Sequence, residues 1–170
     1  MRMKITLSLG LVVLAVLNFQ VYRKERLIKS SEEIFLELAP VDPRSLLQGD
    51  YMALNYKIAD EMRDKLREDD DAPYTGRFVV GLDDKRIATY RRTWTGEPVG
   101  DDERLLHYRR VGHGQVRVGV DSFFFEEGQG RHYENARYGV FLLDKRGRTI
   151  LRALADESLL RIEPVPAKEK

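Results

Sequence analysis

The hydrophobic positions divide the chain into an apolar N-terminal run and a longer domain with short amphipathic segments. The run covers residues 5–22, contains no charged residue and is followed by a basic cluster at residues 23–26. As a helix it would extend about 27 Å at 1.5 Å per residue, close to the ~30 Å hydrocarbon core of a bilayer. The pattern therefore predicts a single transmembrane helix that contacts the lipid bilayer through residues 5–22.

Two other interpretations of this run remain open. A cleaved signal peptide needs small residues at a processing site, but the run ends with Leu17-Asn18-Phe19-Gln20-Val21-Tyr22. A buried helix of the domain would carry a polar face, whereas this run is apolar on nearly all sides. An uncleaved anchor agrees best with the pattern.

The charges on either side of the run bear on its orientation. Arg2 and Lys4 precede it and three basic residues follow within residues 23–26, so the positive-inside rule does not decide. A short tail precedes the run and the whole domain follows it, which is typical of a signal anchor that exports the chain behind it. We expect an extracytoplasmic domain, and the absence of cysteine is compatible with export.

Beyond the run, alternating hydrophobic and polar residues predict a mainly antiparallel β-sheet. The first strands are expected at residues 34–39 and 51–56. Three hairpins follow, each with a turn rich in Gly, Asp or Lys between two strand-like segments. Their strand pairs are residues 78–82 with 86–94, 105–111 with 115–125, and 138–143 with 149–154.

One segment of the domain has helical periodicity instead. Ile58, Met62 and Leu66 recur at four-residue spacing after residue 57, while charged residues occupy most of the other positions. This is the pattern of an amphipathic helix with one buried stripe. The predicted fold class is α+β: an N-terminal single transmembrane helix followed by a mainly antiparallel sheet domain with one amphipathic helix.

The length of 170 residues fits one globular domain with an appendage. The predicted organisation is a membrane anchor over residues 1–26, a connector over 27–33, the domain over 34–162 and a disordered tail over 163–170.

The distribution of charge argues against nucleic acid as a partner. The formal net charge is +1, but the first 26 residues hold five of the 29 basic residues and one of the 28 acidic residues. The rest of the chain therefore carries a net charge of about −3, which is unfavourable for binding a polyanion.

The most specific motif is the octapeptide Gly49-Asp50-Tyr51-Met52-Ala53-Leu54-Asn55-Tyr56, which reads Gly-Asp-Tyr-x-x-Leu-x-Tyr. Side chains alternate along a strand, so Tyr51 and Tyr56 lie on opposite faces and cannot form one clamp. We expect Met52 and Leu54 in the core, with Tyr56 at its edge and its hydroxyl bonded outward.

This octapeptide resembles the defining motif of the GDYXXLXY family of bacterial membrane-anchored proteins, a family without an assigned reaction. Residues 42–47 resemble the segment that leads into the motif. A second block of the family is similar to residues 124–128 (Phe124 through Glu127-Gly128), Tyr133-Glu134, Ala136 and Tyr138-Gly139. The resemblance covers most of residues 34–160. It implies a single-pass protein of the bacterial inner membrane with its domain on the periplasmic side, and relatives are often encoded near multi-span membrane proteins.

Polar residues before and within the motif form the candidate binding site. Asp42, Arg44, Asp50 and Tyr51 would cluster at one end of the sheet, where Arg44 could donate two hydrogen bonds to a ligand carboxylate or a partner's backbone. A Gly-Asp turn that enters a strand also has a purely conformational explanation, and that alternative stays open.

Two functions are consistent with these features. We favour a non-enzymatic extracytoplasmic module that binds a membrane-protein partner, because no convergent nucleophile, base or metal set is visible. The alternative is a hydrolase or ligand-sensing domain with its site around Arg44, Asp50 and Tyr51. We assign no catalytic residue and expect no cofactor.

Other chemistry has weaker support. The three histidines, His107, His113 and His132, lack the spacing of metal ligands, so we expect no metal site. Tyr-Arg-Arg occurs at residues 90–92 and 108–110 and would form a basic and aromatic stripe if the two strands were adjacent. Such a face could contact anionic lipid headgroups or an acidic partner.

Overall fold

The computed structural model describes residues 10–20, 22, 31–39, 51–67, 73–126 and 128–164. Two compact units are present, Met1–Ser31 and Glu32–Lys170. The predicted connector falls mostly outside the described residues, as does the predicted tail beyond residue 164.

The first unit contains helix α1, over residues 10–20. Its large apolar side chains are between 50% and 73% exposed. Across the described part of the chain, no helix is both long and apolar enough to cross a membrane. Residues 5–9 and 21 of the predicted span lie outside the described residues.

The second unit is an α+β domain in which antiparallel strands predominate. Its one α-helix among the described residues is α2, Lys57–Arg67. Its strands are β1 (Glu32–Glu37), β2 (Tyr51–Ala53), β3 (Thr75–Leu82), β4 (Ala88–Thr93), β5 (Glu103–Val111), β6 (Gln115–Val118), β7 (Ser122–Phe124), β8 (Tyr138–Leu143) and β9 (Thr149–Ala155).

These strands form three sheets, with the orders β4-β3-β5-β6, β1-β8-β9 and β2-β7. Backbone hydrogen bonds join the two larger sheets at both sides. The amide of Phe35 on β1 donates to the carbonyl oxygen of Arg86, just before β4, at 2.9 Å. The amide of His107 on β5 donates to the carbonyl oxygen of Gly147, in the β8–β9 turn, at 2.8 Å. The larger sheets thus enclose one core.

All three predicted hairpins are confirmed, as β3–β4, β5–β6 and β8–β9. The β8–β9 turn is held by Asp144, whose Oδ1 accepts the amides of Arg146 at 2.9 Å and Arg148 at 2.8 Å. Asp144 is buried, which raises its pKa, but the amide and guanidinium of Arg148 outweigh burial and leave the pKa below its usual value. The carboxylate of Asp144 thus accepts hydrogen bonds from two backbone amides of the turn and holds its conformation.

The prediction of one strand over residues 115–125 was wrong. β6 ends at Val118 because Gly119 has a φ of +64°, a conformation that favours glycine. A Cβ at Gly119 would also lie 2.8 Å from Cε1 of Phe141. The chain turns there, and β7 pairs with β2 rather than continuing the hairpin. The predicted strand over residues 51–56 is likewise shorter, because β2 ends at Ala53.

Helix α2 packs its predicted stripe into the core. Ile58, Met62 and Leu66 are at most 4% exposed, and the helix contacts β6, β4 and β1. Burying one such side chain stabilises the fold by about 1.5–3 kcal/mol. The amphipathic helix predicted after residue 57 is therefore confirmed.

The predicted Tyr-Arg-Arg stripe does not form. β3 lies between β4 and β5, so the two segments are not adjacent. Tyr90 and Tyr108 instead flank Phe78 on the core side of β3, with ring centroids 5.5 Å and 4.0 Å from that ring. The tyrosines therefore stabilise the core and do not form an exposed aromatic surface with the arginines.

Candidate functional site

The octapeptide alternates between buried and accessible side chains as the strand pattern predicts. Met52, Leu54 and Tyr56 are 2–4% exposed, whereas Asn55 is exposed. The alternation persists beyond the end of β2 because Tyr56 makes an isolated bridge to Leu38. The two motif tyrosines lie on opposite faces, so the motif does not form a single clamp.

Tyr56 connects the motif to the loop after β6. Its hydroxyl donates to the carbonyl oxygen of Val120 at 2.9 Å, and its ring meets Phe141 edge-on with centroids 5.6 Å apart. Burial, followed by the negative charge of Asp121, raises the pKa of Tyr56 far above its usual value. The hydroxyl therefore stays protonated at neutral pH and acts as a structural donor, as expected.

Strand pairing brings the two family-like blocks together. β2 pairs with β7, which places Tyr51 opposite Phe124, and the two rings lie 5.8 Å apart. Phe124 is 74% exposed. Behind this ribbon, the rings of Phe123 and Phe125 lie 5.0 Å and 5.4 Å from that of Tyr133. The second block thus supplies the partner strand and the aromatic support for β2.

Of the four predicted site residues, the structure describes one. Tyr51 is half-buried on β2 beside Phe124. Asp42, Arg44 and Asp50 lie outside the described residues, so their clustering with Tyr51 stays a prediction.

A cleft adjoins the second half of the motif. Its volume is about 770 Å³. One wall is formed by residues 53–56, the opposite wall by β6, and one end by the first turns of α2. The lining residues of α2 are Ala59, Asp60 and Arg63, and further lining comes from Ala39, Asp121 and Ser122.

Two hydrogen bonds join residues 53–56 to the loop after β6. The amide of Leu54 donates to the carbonyl oxygen of Asp121 at 2.8 Å, beside the bond from Tyr56 to Val120. The loop after β6 is therefore tied to the motif at two neighbouring points. Because both bonds involve main-chain carbonyl oxygens of the loop, the geometry depends little on which side chains the loop carries.

Two ion pairs lie on the rim of the cleft. Nη1 of Arg63 is 2.8 Å from Oδ1 of Asp60, and Arg117 pairs with Asp121. These four side chains are 37–50% exposed, so each pair contributes at most about 1 kcal/mol. The rim is electrically balanced and offers both donors and acceptors to an incoming polar group.

No group of three or more His, Cys, Asp or Glu residues that could hold a metal ion occurs among the described residues. The exposed ring of His132 lies beside the tail, with Nε2 2.6 Å from the carbonyl oxygen of Glu163. The cleft itself presents amide, hydroxyl and charged side chains together with strand backbone, a surface suited to binding.

Sequence reasoning did not find this cleft. The sequence placed the candidate site at Asp42, Arg44, Asp50 and Tyr51, and predicted residues 115–118 as the start of a strand that continues to residue 125. The available signal was Gly119, which interrupts a strand pattern and thereby indicates a bend or a close backbone approach.

Comparison with known proteins agrees with the resemblance in the motif. A family model described as GDYXXLXY protein matches residues 13–154, which includes both paired blocks. No curated protein and no solved structure shows a significant match. Because the family model covers most of the chain and both strands of the β2–β7 ribbon, the chain belongs to the GDYXXLXY family.

Proposed function

We propose that this chain is a non-enzymatic, membrane-anchored module that binds an extended segment of a membrane-protein partner on the periplasmic side of the bacterial inner membrane. The observation that carries the proposal is the cleft between β6 and residues 53–56.

The walls of the cleft suit an extended polypeptide. Among the described strands, β6 is one of the two edge strands of its sheet and has a neighbour, β5, on one side only. All four residues of β6 line the cleft. Since side chains alternate between the faces of a strand, a wall formed by consecutive residues is a strand edge rather than a face. Residues 53–56 line the cleft consecutively as well, but their backbone is already paired, because the amide of Leu54 donates to Asp121 and the carbonyl oxygen of Asn55 accepts the amide of Ala39. The edge that can accept an added strand is therefore that of β6.

An added strand would bind such an edge through main-chain hydrogen bonds. A four-residue strand is about 13 Å long at ~3.3 Å per residue. The cleft volume of about 770 Å³ lies within the usual range of binding sites. The exposed side chain of Asn55 and the balanced ion pairs on the rim add polar contacts that select among segments.

The anchor and its location rest on the N-terminal apolar run. The uncharged stretch over residues 5–22 is close to the length that a bilayer requires. Within it, Leu11, Leu17 and Phe19 are 73%, 54% and 61% exposed, and contiguous apolar exposure of this kind suits lipid better than water. An anchored domain remains close to other membrane proteins, which raises their effective concentration at the cleft.

The test uses a photoreactive phenylalanine analogue at Asn55 in the full chain, in living cells. A matched control carries the analogue at Arg152, an exposed residue of β9. We expect a discrete cross-link from position 55 to a membrane protein, and none from position 152. The cross-linked segment is then synthesised as a peptide, and its binding to the purified full chain is measured.

Asn55→Trp, which fills the cleft, should weaken peptide binding at least about tenfold, whereas Arg152→Trp should leave it unchanged. Bound peptide should also slow amide hydrogen exchange in residues 115–118. Equal binding by both tryptophan variants, or unchanged exchange in β6, would refute strand addition at this cleft.

A further inference from the structure

The outer face of the four-stranded sheet, opposite the core, carries a compact basic surface. It is formed by Arg77 on β3, His107 and Arg109 on β5, and Arg117 on β6. We call these four residues the basic face. The strand register places Arg77 opposite His107, and Arg109 opposite Arg117. Directly opposite residues of an antiparallel pair project to the same side, so the four side chains share one face.

The burial pattern shows that this face points away from the core. His107, Arg109 and Arg117 are exposed, and the residues that alternate with them on β5 and β6 are buried. Strands lie about 4.8 Å apart, and residues two apart on one strand are separated by about 6.8 Å. The four side chains are therefore neighbours on one face of the sheet.

Arg109 and Arg117 form a like-charge pair directly across two strands. Such pairs destabilise a sheet. This one occurs although the chain after residue 26 carries a net negative charge of about −3. Asp121 pairs with Arg117. Within the part of the chain that the structure describes, Arg109 has no ion-pair partner. A local conflict of this kind is expected where a surface serves binding rather than stability.

An aromatic residue adjoins the basic face. The Cζ atom of Arg77 lies 5.0 Å from the ring centroid of Trp94, whose Nε1 donates to the carbonyl oxygen of Glu97 at 2.8 Å. Tyr74, immediately before β3, is 81% exposed. Trp and Tyr concentrate where polar headgroups meet the apolar part of a bilayer.

We infer that the basic face binds the phosphate groups of anionic phospholipid headgroups. A guanidinium group matches the geometry of phosphate with two parallel hydrogen bonds. Three arginines on one face of a sheet can contact several headgroups of a bilayer at once, and the neighbouring Trp94 suits the same interface. The basic face overlaps the cleft at one residue, Arg117, whereas Arg77, His107 and Arg109 do not line the cleft.

The single tryptophan of the chain makes a direct test possible. The full chain is reconstituted into lipid nanodiscs that contain a trace of lipid with a dansyl headgroup. Energy transfer from Trp94 to dansyl is measured in phosphatidylcholine discs and in discs with 30% phosphatidylglycerol. We expect higher transfer in the anionic discs, and a loss of that difference at high salt, which screens exposed charges.

Charge variants identify the residues responsible. Each arginine near an anionic surface raises the affinity for that surface roughly fivefold. The double substitution Arg109→Gln with Arg117→Gln should therefore weaken binding of the domain to anionic lipid about 25-fold. The matched control, Lys145→Gln with Arg152→Gln, removes the same charge from exposed positions elsewhere and should retain the response. Circular dichroism confirms that both double variants are folded.

Two competition experiments distinguish lipid headgroups from other anions as the ligand of the basic face. Inorganic phosphate should reduce the transfer no more than chloride at equal ionic strength, and a polyglutamate peptide should not compete. Transfer that is equal in both types of disc, selective competition by free phosphate, or preferential binding of the peptide would each overturn the inference. Peptide binding at the cleft is measured separately, so failure of one proposal is distinguishable from failure of the other.

Discussion

The hydroxyl of Tyr56 offers the sharpest test of how the motif stabilises the domain. Tyr56→Phe keeps the ring and its contact with Phe141 but removes the donor to Val120. A typical hydrogen bond contributes about 0.5–1.5 kcal/mol net, and a buried unsatisfied acceptor costs about 1–3 kcal/mol. Val120 is 38% exposed, so water can partly replace the donor. We therefore expect a loss of about 1 kcal/mol in the free energy of unfolding.

The same substitution should alter the pH dependence of stability. Burial raises the pKa of Tyr56 above its value in the unfolded chain, which is ~10. A group with a raised folded pKa stabilises the fold fully below the unfolded pKa and loses that contribution as pH rises above it. The gap between wild type and Tyr56→Phe should therefore be constant below pH ~10 and shrink at higher pH.

Urea denaturation of the full chain, followed by circular dichroism, measures both effects. Tyr74→Phe is the matched control, because Tyr74 is 81% exposed and should change stability by less than about 0.5 kcal/mol. A loss of about 1 kcal/mol corresponds to a fall in Tm of roughly 3–5 °C for a domain of this size. The reasoning is refuted if Tyr56→Phe is as stable as wild type at pH 7, or if the gap widens in alkali.

Three other predictions follow from the turns and the proposed topology. Asp144→Asn should destabilise the domain by about 1–3 kcal/mol at pH 7 by weakening the acceptor in the β8–β9 turn. Because the pKa of Asp144 is lowered in the fold, the stability difference between wild type and Asp144→Asn in urea denaturation should begin to shrink as pH falls below ~4 and should be lost only below the lowered folded pKa. Gly147→Ala should lower Tm, since φ is +88° and a Cβ would lie 3.1 Å from the backbone of Leu105; we expect about 2 kcal/mol, and an unchanged Tm would contradict the strain argument. For topology, Asp84→Cys introduces a single exposed thiol into a chain without cysteine. It should react with an impermeant thiol reagent in intact spheroplasts, and labelling only after lysis would exclude a periplasmic domain.

Local features of the sequence were sufficient to predict the hairpins, helix α2 and the faces of the motif. Each depends on residues close together in the chain: acidic and glycine residues in turns, four-residue spacing in α2, and alternation around Met52 and Leu54. Backbone geometry converts such spacing into a direction for each side chain. These predictions therefore did not require knowledge of the partner elements.

The candidate site could be predicted only in part. Strand alternation predicts the side on which Tyr51 lies. The cleft, by contrast, is formed by segments that are distant in sequence. Residues 53–56 meet β6 because the amide of Leu54 reaches Asp121. No local pattern specifies that contact, since any two amphipathic strands of similar length have compatible periodicity.

The sequence by itself determined the family, the apolar N-terminal run and the local elements of the domain. Tertiary structure decided which strands pair: β1 with β8, β2 with β7, and β3 between β4 and β5. Those pairings separated the two Tyr-Arg-Arg segments, opened the cleft beside the motif and placed Arg109 opposite Arg117. The physical reason is that long-range pairing is selected by the packing of the whole core, as where the ring of Phe141 on β8 occupies the space beside Gly119 at the end of β6.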